Sequence, residues 1–167
     1  MARSRAVVVA VLAAASLGGW WLGRIDRGAD RVVKVVHVVD GDTVVVDGPG
    51  GRTTVRLLGV DTPETVDPRK PVQCYGPEAS AYTKSRLQGR RVTLERDVEA
   101  RDRYGRLLAY VVVDGRRFND ELLRGGYARL LVIAPNGSHA REMLDEELAA
   151  RRAGRGLWGR CVRQGNA

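Results

Sequence analysis

The sequence has only two histidines and two cysteines in 167 residues. His37 and His139 stand far apart, and neither has a cysteine or second histidine at ligand spacing. That excludes a zinc site of the usual nitrogen and sulfur kind. No segment repeats, so a solenoid or propeller is excluded, and no low-complexity tract occurs beyond the N-terminus. No basic amphipathic helix is found, which argues against a protein that lies on membrane surfaces. Six prolines and an apolar content of 44% fit a globular fold rather than a disordered chain. The length allows one domain plus a short appendage.

What is present is positive charge. Lysine and arginine number 28 against 20 aspartates and glutamates, a formal net charge of +8. Such a surface suits a polyanion, either nucleic acid or an anionic membrane, although solubility alone also accounts for charge.

Residues 1–31 differ in kind from the rest. Arg3 and Arg5 precede a run without charge from Ala6 to Gly23. The run sits at the short limit of a membrane span, which needs about 17–25 residues. Trp20 and Trp21 lie near its far end, where interfacial aromatics belong. The segment reads as a secretory signal, with a small-residue cleavage site around Ala13 to Ser16, or as an uncleaved hydrophobic helix that anchors the chain. Either reading puts the remainder outside the cytoplasm, secreted or membrane-anchored. The stretch "DRGADR" is then a polar linker to a domain over residues 32–160, with 161–167 as a tail.

Within the domain, β-branched runs mark strands. Val32–Val39, Thr43–Asp47 and Arg52–Val60 form a three-stranded meander, the last two joined by the turn formers Gly48 to Gly51. The four-proline stretch "DTPETVDPRKPVQCYGPE" is a long loop, and loops of that length are often functional. Pro77 and Glu78 open a helix over 78–88. "RVTLERDV" and "LLAYVVV" are further strands around the charged turn "EARDRYGR". Asn119 caps a short helix, and Ser138 caps a last one whose Ala140, Met143, Leu144 and Leu148 share one face. Trp158 follows it as a core anchor. The pattern is α+β: a five-stranded OB-fold barrel with about three helices.

Two acids, Asp40 and Asp42, flank a glycine inside the valine-rich stretch "HVVDGDTVVVDG". A second apolar run, "VRLLGVDTPET", carries Arg56 and ends on Asp61, Thr62 and Glu64. Acids at strand ends mark turns, and they also mark hard cations, which prefer oxygen ligands. Asp42 and Asp61 end neighbouring runs, Glu64 lies on the same loop as a candidate base, and Arg56 and Arg106 are candidate phosphate clamps. These residue types permit phosphodiester hydrolysis without selecting it; taken singly, each acid is also a plain turn residue.

Four motifs, "VVDGDTVVV", "VRLLGVDTPET", "CYGPEASAYTK" and "DRYGRLLAYV", resemble the staphylococcal-type thermonuclease family in order and spacing, from about Val35 to Trp158. The resemblance implies an OB-fold with added helices and a Ca²⁺-dependent endonuclease, acting on DNA and RNA and expected to work as a monomer. By position it assigns Ca²⁺ to Asp42, Asp61 and the Thr62 carbonyl, with Asp40 acting through water. It makes Glu64 the residue that activates water, Arg56 and Arg106 the phosphate clamp, and Arg103 and Tyr104 the contacts to a neighbouring phosphate. The segment "ARLLVIAPNGSH" departs from the pattern, being one residue shorter and without the base-stacking tyrosines that family members can carry. The alternative is a non-catalytic OB-fold nucleic-acid-binding module, which would be expected to lose the acids or Glu64; this sequence keeps every matching position.

Cys74 and Cys161 are the only cysteines. Export favours a disulfide between them. One precedes the first helix and the other follows "GLWG", so a bridge would tie the C-terminal segment across the domain; the other possibility is two free thiols.

Overall fold

The structure is a computed structural model that describes residues 31–66, 68–69 and 71–161. The expected signal or anchor, and tail residues 162–167, lie outside the described residues. Among the described residues no helix is long and apolar enough to cross a membrane.

Among the described residues eight strands and four helices follow one another: β1 (Arg31–Val38), β2 (Thr43–Gly48), β3 (Gly51–Leu57), β4 (Gly59–Asp61), α1 (Gly76–Leu87), β5 (Arg91–Glu95), β6 (Leu107–Val113), β7 (Arg116–Arg117), α2 (Phe118–Gly125), β8 (Arg129–Leu131), α3 (Ala140–Arg152) and α4 (Leu157–Arg160). β1, β2 and β3 form the expected antiparallel meander. β5 pairs with β1 and with β6, again antiparallel, and a parallel pairing of β3 with β6 closes the ring. This is the five-stranded OB-type barrel, with α1, α2 and α3 as its helices. β4 and β8 form a separate two-stranded ribbon that carries Asp61 at its end.

Alternation sets the core. Val33, Val35, Val44, Val46, Val55 and Leu57 point inward along β1, β2 and β3 and are buried, as the period of two requires. β6 lies between β5 and β3, and Ala109, Tyr110, Val111 and Val113 are all buried. A register shift in β1 between Val35 and His37 marks a bulge. Gln88 covers it, donating to the Val36 carbonyl and accepting from Val38 N. Tyr75, Tyr127, Tyr82 and Phe118 stack in sequence between α1 and α2, with Tyr82 and Tyr127 centroids 4.2 Å apart.

Several expected boundaries shift, for physical reasons. The run Arg52–Val60 is two strands, broken at Leu58. Gly59 has φ 71°, and a Cβ there would sit 2.5 Å from Met143 Cε. The break swings β4 away from the barrel to meet β8 and α3. Asn119 is not a cap: Arg117 holds that position, and Asn119 is wholly buried. Its amide donates to the Leu58 carbonyl and accepts from Val111 N. Ser138 does not cap α3 either; His139 is the N-cap residue, and the Ser138 hydroxyl and N–H both donate to Asp97. The strand expected over "RVTLERDV" ends at Glu95, which frees Asp97 for that role. On α3 the buried face is Met143, Glu147 and Ala150, while Leu144 and Leu148 are exposed. Glu147 takes a core position because its carboxylate accepts from Leu130 N and Arg151. Trp158 is not in the core. Its ring is half-buried, with the guanidiniums of Arg151 and Arg129 over it at 4.1 and 5.0 Å.

Candidate active site

The turn between β1 and β2 gathers its acids because three neighbouring elements pin it. Val39 N and Asp40 N both donate to the Thr43 carbonyl, and Asp42 N donates to Asp40 Oδ1 at 3.1 Å. From α1, Thr83 Oγ1 donates to the Gly41 carbonyl at 2.7 Å. From β3, Leu57 N donates to the Asp42 carbonyl at 2.9 Å. The chain past β4 packs so closely that a Cβ on Gly41 would lie 2.7 Å from Thr62 Cγ2. Glycine therefore separates the two acids because no side chain fits there.

Asp42 is 6% exposed. Its Oδ2 accepts from Thr62 N at 2.8 Å and Thr62 Oγ1 at 3.0 Å, and lies 3.2 Å from Arg56 Nη2. Its Oδ1 accepts from the Thr43 hydroxyl. Arg56 Nη1 donates to the carbonyls of Leu57 and Val60, at 2.8 and 2.7 Å, which fixes the guanidinium plane. Arg56 Nη2 also donates to Asp61 Oδ1 at 3.2 Å. The structure thus brings Asp40, Asp42, Arg56, Asp61 and Thr62 together, although they come from three separate elements.

Burial, then the charge of Asp42, pushes the Asp40 carboxyl up to about 6. Burial and Asp42 also raise Asp61, despite Arg56 and Arg129 nearby. The pocket therefore holds carboxylates that oppose one another's ionisation. Among the described residues no three acidic, histidine or cysteine side chains converge as a metal cluster. Asp42 and Asp61 nonetheless face one guanidinium nitrogen, and every donor in reach is oxygen. A buried acid and an exposed one that repel each other and offer oxygen alone fit a hard cation such as Ca²⁺.

Glu64 stands on the loop after β4. Its N–H donates to Gln73 Oε1 and its carbonyl accepts from Gln73 N, both at 2.9 Å. Its Oε1 accepts from Thr65 N and Val66 N at 2.8 Å. Its backbone is thereby tied to the residue beside Cys74, and its carboxylate to its own loop.

Arg103, Tyr104 and Arg106 share a groove of about 560 Å³ with Arg56. Asp102 organises that side: Arg106 Nε donates to its Oδ2 at 2.7 Å, and Tyr104 N and Arg106 N donate to its Oδ1. Burial pushes the Asp102 carboxyl up, but these hydrogen bonds from Arg106 and Tyr104 outweigh it and hold it below its ordinary value. Leu131 and Ile133 line the same groove.

Cys74 and Cys161 are joined, with Cα atoms 5.9 Å apart, inside the 4.4–6.8 Å range of disulfides. Cys161 is 1% exposed. Sequence reading missed Asp102, Gln73 and Arg129. The first had a signal, an acid four residues before Arg106. The other two had none, because their partners are brought to them only by the fold.

A closed five-stranded barrel with acids and arginines gathered beside its β1–β2 turn defines an OB-type domain. The chain belongs to the family described as "Staphylococcal nuclease homologue", whose pattern matches residues 54–160. It is similar to the protein named "Thermonuclease" of Staphylococcus hyicus, at 40% identity over 134 residues, 80% of this chain and 79% of that one. It is 49% identical over 113 residues to the "Thermonuclease" of Staphylococcus intermedius, covering 68% of this chain and 66% of that one. A Bacillus subtilis protein named "Endonuclease YncB" is 44% identical over 120 residues, 70% of this chain and 57% of the relative. The chain thus spans about four fifths of the first relative, and 66% and 57% of the other two.

Proposed function

We propose that the protein is a nuclease that hydrolyses phosphodiester bonds of DNA and RNA with Ca²⁺ as its metal. The observation that carries this reading is the meeting of Asp42 and Asp61 on Arg56 Nη2, at 3.2 Å each, beside the groove that Arg106 lines. The names of the relatives support it. Asp42, Asp61 and the Thr62 carbonyl would hold the ion, and Asp40 would reach it through water. When bound, Ca²⁺ supplies positive charge that polarises the phosphate and stabilises the charge gained in the transition state.

This chain's own side chains do the rest. Arg56 and Arg106 grip the scissile phosphate with paired N–H donors, and Asp102 sets the angle of the second. Arg56 Nη1 stays on its two carbonyls, so the guanidinium meets phosphate with little reorganisation. Glu64 accepts a proton from the attacking water, and the Gln73 clamp holds its backbone at the site's edge. Arg103 and Tyr104 contact the next phosphate. Arginine is a poor general acid, since a guanidinium releases its proton too reluctantly. The domain works outside the cytoplasm, secreted or anchored, which accords with the uncharged N-terminal run and with a disulfide.

The test is digestion of plasmid DNA and of RNA, with Ca²⁺ and with a chelator. Cleavage of both that needs Ca²⁺ is expected; equal cleavage in chelator, or none in Ca²⁺, contradicts the reading.

A further inference from the structure

A phosphodiester has a nucleoside on each side, so a strand that crosses the acids needs two seats, and the Arg103–Tyr104–Arg106 groove offers one. A second groove, of about 580 Å³, opens at Asp61 and shares no lining residue with the first; it is in the size range of small-ligand sites. Residues 56–60 line the first groove and Asp61, Thr62 and Pro63 line the second, so the chain from β3 through β4 forms the ridge between them. The far wall of the second groove is Arg129, Val72 and the Cys74–Cys161 bridge.

Arg129 is the informative residue. It is the cross-strand partner of Asp61 in the β4–β8 ribbon, so it stands beside the cluster. Among the described residues its guanidinium makes no hydrogen bond or close ion pair, and its charge acts on Asp61 from across the ribbon. What holds it is the ring of Trp158, over which Arg151, itself bonded to Glu147, also lies. The disulfide anchors α4, and so Trp158, against the loop. An arginine positioned by stacking, with its N–H fork unspent, is prepared for an anion.

Resting on the phosphodiesterase reading, we propose that this second groove seats the nucleotide on the opposite side of the scissile bond, and that Arg129 binds its phosphate. The occupant is a further residue of the same polynucleotide strand: the groove continues from Asp61, and the Arg129 cation matches the strand's charge. Pro63, Pro71 and Val72 supply apolar surface for sugar or base.

The test compares two substrates in the full, Ca²⁺-supplied protein. One is oligothymidylate. The other is thymidine esterified with methyl phosphate at both of its sugar hydroxyls, which has a nucleoside on only one side of each diester. Arg129→Gln should lower the preference for the oligonucleotide, as a ratio of kcat/KM values, about tenfold, mainly through KM, as loss of a charge-assisted hydrogen bond does. Arg129→Lys should recover part of it. Val72 is 61% exposed, so Val72→Glu should fold normally, and its carboxylate in the groove should lower the same ratio several-fold. Ratios equal to wild type in both Arg129→Gln and Val72→Glu overturn the second seat while leaving the nuclease reading standing. Wild-type protein that cleaves neither substrate overturns both. If Arg129→Gln melts too low to assay, Val72→Glu and Arg129→Lys decide alone.

Discussion

Arg56 has the tightest geometry of any residue near the acids, with four hydrogen bonds or ion pairs on its two terminal nitrogens. Lysine has one nitrogen and cannot hold two carbonyls and two acids at once. Arg56→Lys and Arg106→Lys should each lower kcat/KM on DNA by at least about tenfold, consistent with two-pronged contacts. Steady-state kinetics of the two variants check this, and full activity in either would remove that arginine from the clamp. At this scale the sequence carried a good deal: the acids, Glu64 and both arginines stand in motifs that can be read without coordinates. Gln73 and Arg129 could not be read there. One acts through reciprocal backbone bonds to Glu64 and the other through Trp158, contacts between residues distant in the chain.

Among the elements, the loops between β5, β6 and α3 depend on Asp97. Burial tends to raise its carboxyl, but hydrogen bonds from Ser138, Tyr110 and Val98 outweigh burial and hold it below the ordinary 3.8. A depressed folded value means that the ionised carboxylate stabilises the fold at neutral pH, and that this stabilisation is lost as pH falls below 3.8 through the folded value. Asp97→Asn should therefore unfold at lower urea than wild type at pH ~7, with the gap closing as pH falls below 3.8 through the lowered folded value. A gap that is constant across that range would contradict the account. Asn119 joins α2 to β6 and to the end of β3. Asn119→Ala strands a buried Leu58 carbonyl and a buried Val111 N–H, which should cost about 2–5 kcal/mol in a denaturant titration. A loss under about 1 kcal/mol would mean that water replaces the amide. The sequence showed α2 but misread Asn119 as its cap, because a polar residue near a helix start looks the same whether it faces outward or reaches inward. The break at Gly59 was hidden for a similar reason: what forces it is Met143, more than eighty residues on.

Across the whole molecule, the Cys74–Cys161 bridge closes the longest covalent loop, with a sequence separation of 87. It ties α4 to the loop that carries Glu64, so it bears on both stability and site geometry. Loop-entropy models give about 4–5 kcal/mol for such a loop, as an upper figure. Cys74→Ser with Cys161→Ser should lower the melting temperature markedly, and thiol titration of unreduced wild type should find no free thiol. Two free thiols in the exported protein would end this account. The barrel was legible because strand periodicity and turn residues agree along β1 to β3. The β4–β8 ribbon was not, because β8 is three residues long and carries no turn signal of its own. The account's central claim is that Glu64 takes the proton from water beside cation-holding acids, and single-turnover cleavage of an oligonucleotide by Glu64→Gln in saturating Ca²⁺ tests it most directly. The account predicts a rate about 10²–10⁴-fold below wild type, the usual cost of losing a general base, with Ca²⁺ and oligonucleotide affinity retained; a rate near wild type would contradict it.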